Sequence, residues 1–132
     1  MEVLKIEFPS VMENIRLVES FIDNAKERFH ISDDVYGNIM VAVTESVNNA
    51  IIHGNHNDIS KTVWLSLMNE NAKLKCTIED EGTGFDFDNL PDPTAPENIN
   101  KVGGRGVFLI KNLSDEVKFY DGGKKVEMTF AL

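Results

Sequence analysis

The apolar residues of this chain change their spacing once, near residue 54, and that change decides what the chain can fold into. Upstream, Val11, Ile15, Val18, Ile22, Ala25 and Phe29 recur at three- and four-residue steps, which predicts an amphipathic helix reaching about Phe29. Ser10 followed three residues later by Glu13 reads as a capping box opening it. Ser32 with Asp33 and Asp34 suits the start of a second helix, expected to run to about His53 and stop at Gly54. Beyond that point the period falls to two. Val63, Leu65 and Leu67 alternate within 62–69, and Leu74, Cys76 and Ile78 within 73–79, so the Glu70-Asn71-Ala72 link makes a hairpin. Val107 to Leu113 reads as a short apolar helix, Glu116 to Tyr120 as a strand, Asp121-Gly122-Gly123 as a turn, and Lys125 to Leu132 as a last strand. An opening strand, Leu4 to Phe8, ends at Pro9. Helices followed by hairpins mean an α+β fold.

At 132 residues there is room for one domain, burying roughly 68% of its unfolded surface. Thirteen basic against 22 acidic side chains leave a net charge of -9, which disfavours phosphate backbones and anionic lipid, so neither nucleic acid nor membrane is an expected partner. One cysteine, Cys76, alternates inward with Leu74 and Ile78 and reads as a packed thiol. The first residues lack the apolar run of a signal peptide and no stretch has the length of a membrane span, so the expected location is cytoplasmic.

Three places carry candidate chemistry. At about 100° per residue, Tyr36, Ile39, Met40, Val43, Val47, Ala50 and Ile51 form one side of the second helix, with Glu45 and Asn49 opposite. A carboxylate and an amide one turn apart suit a Mg²⁺-phosphate group, though any solvated helix face carries such pairs. Asp80-Glu81-Gly82-Thr83-Gly84 leaves a strand end through glycines that allow close backbone approach, placing Asp80 where it can accept a hydrogen bond from an exocyclic amine. Gly103-Gly104-Arg105-Gly106 opens the short helix, where bare N–H groups suit a phosphate and Arg105 can add charge. Between the two glycine runs lies a long segment bearing Pro91, Pro93 and Pro96.

In this order the motifs resemble the Bergerat-type ATP-binding fold: Glu45-Ser46-Val47-Asn48-Asn49-Ala50 is similar to its asparagine box, and the two glycine runs to its glycine boxes. Within that group the chain most resembles the small anti-sigma factor serine kinases, through the run Thr44 to Gly54 and the run Gly106-Val107-Phe108-Leu109-Ile110-Lys111. The resemblance implies a two-layer sandwich, a mixed and mainly antiparallel sheet with helices on one face, and an ATP lid at about 85–103. It implies ATP and Mg²⁺ as cofactors. Glu45 would be the catalytic base and, through water, a metal neighbour; Asn49 would be the metal ligand; and Asp80, Gly82, Gly84, Gly104, Arg105, Gly106 and Val107 would bind nucleotide.

The implied activity is transfer of a phosphoryl group to a serine of an anti-sigma factor antagonist, by a homodimer that alternates between that partner and an RNA polymerase sigma factor. Glutamate at 45 fits a hydroxyl acceptor, which must lose its proton. Two other readings stay open: a nucleotide-binding module that sequesters its partner, and a detached histidine-kinase-type ATPase domain. The chain departs from the family pattern at Gly123-Lys124, where Gly-Thr is usual and Thr129 is a weak substitute, and Lys101 is the only basic residue between Gly84 and Gly103. His53 reads as either a phosphate contact or a helix cap. Trp64 and Met68 occupy the outward phase of their strand, read as a face for helix packing or for a partner.

Overall fold

The computed structural model describes residues 1–83 and 104–132. Its five strands, β1 (Glu2–Pro9), β2 (Thr62–Glu70), β3 (Lys73–Glu79), β4 (Glu116–Tyr120) and β5 (Lys125–Ala131), form one sheet in the order β1-β2-β3-β5-β4. All four ladders are antiparallel, so the expected mixed sheet is antiparallel throughout the described residues. Three helices, α1 (Ile15–Arg28), α2 (Asp33–Asn49) and α3 (Gly104–Leu113), complete the α+β fold.

Register explains the layering. Leu65, Ile78 and Val126 stand in one cross-strand row and Leu67, Cys76 and Met128 in the next, all buried on the face that receives the helices. Val18, Ile22 and Ala25 of α1 and Ile39, Val43 and Val47 of α2 meet them in a single core. Burial pushes the Cys76 thiol pKa far above its ordinary value, so it packs as a small apolar group. The reverse face carries the row Glu7, Trp64, Glu79, Lys125 and Tyr120. No helix covers Trp64; it is 38% exposed and its indole N–H donates to Glu7 Oε2 at 2.9 Å.

The expected hairpin forms, and Asn71 and Ala72 both take positive φ, 53° and 57°, the geometry of a two-residue turn that follows strand twist. The capping box does not form. Ser10 is fully buried and donates instead to the Lys61 carbonyl at 2.7 Å, and a single 3-10 turn at Met12–Asn14 precedes α1. A hydroxyl leaving β1 beside the entry to β2 finds a buried partner there, which outweighs a solvent-facing cap. The α-helical part of α2 ends at Asn49 rather than His53, and Ala50–Gly54 widens into a π-type turn closed by the Asn55 N–H on the Ala50 carbonyl at 2.8 Å. The short helix starts three residues earlier than Val107, at Gly104. Among the described residues no helix is long and apolar enough to cross a membrane.

Candidate nucleotide site

Asp80 is the first residue past β3, and its N–H donates to the Lys124 carbonyl at 3.0 Å, extending the β3–β5 ladder by one bond. Its side chain turns inward, and the residue is 8% exposed. Oδ1 accepts the Gly82 N–H at 2.7 Å, closing a tight turn around the carboxylate. Burial raises the Asp80 pKa above the ordinary carboxylate value; the Gly82 bond and the charges of Lys124 and Lys61 oppose that rise. Among the described residues Oδ2 has no hydrogen-bond partner, which leaves one acceptor for a ligand.

Two glycines make this approach possible. A Cβ on Gly54 would stand 2.4 Å from Asp80 Cγ, and one on Gly82 would stand 2.1 Å from the Gly54 carbonyl oxygen. Gly54 therefore does more than stop a helix: the end of α2 and the loop after β3 interlock around one carboxylate. Asn55, missed by sequence reasoning and fully buried, ties the loop down further. Its Nδ2 donates to Ser10 Oγ at 2.7 Å and the Thr62 carbonyl at 3.0 Å, while Oδ1 accepts the Glu81 N–H at 2.8 Å. Glu81 Oε2 accepts the Thr62 N–H at 2.5 Å. The only sequence signal was an asparagine beside the helix-ending glycine, a residue type that ordinarily marks a turn.

The other end of the site lies on α2 itself. Glu45 and Asn49 are opposite the apolar stripe as expected, yet both are half-buried rather than solvated, because α3 packs against α2. A Cβ on Gly106 would stand 2.8 Å from Asn49 Nδ2 and 3.1 Å from its Oδ1, so Asn49 touches the first turn of α3. Gly104, Arg105, Gly106 and Val107 supply that first turn, whose N–H groups lack intrahelical acceptors, and Val107 is 3% exposed. Gly84, Gly103 and the expected lid at about 85–103 lie outside the described residues, as does the side chain of Arg105. His53 falls within the π-type turn, half-buried, where desolvation and the nearby His56 lower its pKa.

The donor set fits a Mg²⁺-nucleotide. Asp80 Oδ2 matches an exocyclic amine, the glycine cradles admit close backbone approach, and the amide of Asn49 sits against a helix N-terminus suited to phosphate. Among the described residues no three acidic, imidazole or thiol groups converge, so an ion bound here would take its remaining ligands from phosphate oxygens. Because α2 runs unbroken into the turn that ends at Gly54, one continuous segment sets the spacing between the two ends.

Such a sheet, with an amide-bearing helix on one side and a glycine-cradled aspartate at a strand end, defines a nucleotide-binding ATPase domain. The chain belongs to the histidine kinase-like ATPase domain family, whose profile matches residues 8–130. It is similar to the serine-protein kinase RsbW of Listeria monocytogenes serovar 1/2a, with 26% identity covering 96% of this chain and 85% of that protein. The corresponding Staphylococcus aureus (strain JH9) protein is 28% identical, covering 97% of this chain and 86% of its own. The solved RsbU and RsbW domains of Rv1364c from Mycobacterium tuberculosis share the fold, with TM-score 0.68 at 16% identity; all of this chain aligns, spanning about a third (32%) of that one.

Proposed function

We propose that the chain is a Mg²⁺-ATP-dependent protein serine kinase of a partner-switching system, acting as an anti-sigma factor and phosphorylating an anti-sigma factor antagonist. The observation that carries this reading is the placement of Glu45 one turn before Asn49, half-buried on the face of α2 turned toward α3. Similarity to serine-protein kinases over most of the chain supports it.

ATP with Mg²⁺ would supply the phosphoryl group and neutralise its developing charge. Asp80 orients the base through Oδ2, with Gly54 and Gly82 keeping the loop close. Asn49 holds the metal through its amide oxygen, and the N–H groups from Gly104 to Val107 receive phosphate oxygens. Glu45 accepts the proton of the serine hydroxyl as that oxygen attacks, a role that a partly buried carboxylate beside the transfer point can fill. The protein would work in the cytoplasm as a homodimer that exchanges the antagonist for a sigma factor.

Titration calorimetry with Mg²⁺-ATP tests the site, and transfer of labelled phosphate to candidate antagonists tests the chemistry. Glu45→Gln keeps size and hydrogen bonding but removes basicity, so transfer should fall about 10²- to 10⁴-fold with nucleotide affinity unchanged. Transfer that survives the substitution removes Glu45 from the mechanism. Wild-type protein that binds an antagonist and never phosphorylates it supports a sequestering module instead.

A further inference from the structure

A second recess lies on the other flank of α2, away from α3. Met12, Glu13, Ile15, Arg16, Glu19 and Asn48 line a groove of about 620 Å³ between the start of α1 and the last turns of α2. The Oδ1 of Asn48 is buried there with no hydrogen-bond partner. An acceptor taken out of water without a donor is a standing cost that a bound N–H would relieve. Glu13, Arg16 and Glu19 enter no ion pair among the described residues, and Met12 is 42% exposed.

We propose that this groove receives the polypeptide segment presenting the acceptor hydroxyl, with Asn48 accepting one of its N–H groups. The inference rests on the kinase reading above. The lining asks for an N–H donor, side chains of both charge signs and some apolar contact, all of which a protein segment brings together. Two carboxylates beside one guanidinium disfavour a phosphate or nucleic acid occupant. Position points the same way. On a helix Asn48 lies about 100° round from Asn49 and about 60° from Glu45, so a segment seated on Asn48 passes beside the proton acceptor. Asn48 would then select the substrate while Asn49 serves the nucleotide.

The test uses the full chain with Mg²⁺-ADP and purified antagonist-type proteins cloned from the same genome. Binding is read by calorimetry and, where phosphate is transferred, KM and kcat are read separately. Arg16→Glu and Asn48→Leu should each weaken antagonist binding or raise its KM at least tenfold, with kcat at saturation within about threefold and ADP affinity within about twofold of wild type. Arg16→Glu alters an α1 side chain outside the core, so it keeps the test valid if Asn48→Leu folds poorly. Weakened binding in a wild type that transfers no phosphate leaves the groove assignment standing and removes the kinase reading. Unchanged antagonist affinity in both variants, parallel loss of ADP and antagonist binding, or no antagonist bound by wild type overturns the groove.

Discussion

The two ends of the nucleotide site are built on opposite plans. Around Asp80 everything is in place before a ligand arrives: one carboxylate oxygen is bonded to Gly82, Gly54 packs against the carboxyl carbon, and Asn55 pins Glu81 to β1 and β2. Around Asn49 the described residues offer one close approach, the backbone of Gly106, and a half-buried carboxylate one turn away. The first end resembles a core and recognises a fixed shape. The second holds groups that must act on atoms in motion, and tight packing there would hinder transfer.

If that contrast holds, substitutions at the rigid end cost stability and affinity together, whereas those at the open end separate them. Gly82→Ala is expected to have the largest effect on folding, because its Cβ would fall 2.1 Å from a backbone oxygen that cannot move aside. A loss of about 3 kcal/mol, read by urea unfolding, lies at the upper end of overpacking costs, and ATP binding should go with it. Asp80→Asn comes next, with ATP affinity about thirtyfold lower, or ~2 kcal/mol, by calorimetry.

The stability change at Asp80 has a definite sign. The folded pKa lies above the ordinary value, so the folded state holds its proton more tightly than the unfolded chain. The contribution is favourable at low pH and is lost as pH rises through the raised folded value. At neutral pH the ionised group is a burden, and Asp80→Asn should raise Tm relative to wild type, with the difference shrinking in acid. A variant that melts lower than wild type at pH 7 contradicts a desolvated carboxylate.

Gly106→Ala sharpens the comparison from the other side. Its Cβ would meet only the amide of Asn49, the end of a side chain that can rotate, and alanine favours helix over glycine. Stability should stay within about 1 kcal/mol while Mg²⁺-ATP affinity falls about tenfold. The smallest effect belongs to Gly37, exposed on α2 with nothing within 4 Å of an added Cβ. Gly37→Ala should add about 0.5–1 kcal/mol and leave nucleotide affinity alone, showing that glycine is demanded by packing at 54 and 82.

How much of this was readable in advance follows the range of the forces involved. Periodicity is local, so the hairpin, the late strands and the apolar stripe of α2 follow from spacing alone. Ser10 was misread because its partner, the Lys61 carbonyl, lies 51 residues away and no local pattern records that contact. Glu45 and Asn49 were placed on the correct side of α2, but their half-burial depends on α3 arriving from the far end of the chain. Gly54 and Gly82 stood out as glycines, whereas the atom that forbids a side chain at each belongs to another segment. Asn55 had no distinguishing mark, since its role is to join three strands' ends that only the fold brings together.

The π-type turn at Ala50–Gly54 bears on how such a chain can vary by inheritance. A widened turn is what a helix shows where it carries one residue more than its regular pitch would take. Removing a single residue from that stretch would leave a sound helix, yet would swing everything after it by about 100°, carrying Gly54 off the Asp80 carboxyl and Asn55 away from Ser10. Here the number of residues is itself under constraint, and a deletion that spares every named side chain would still disassemble the base end of the site.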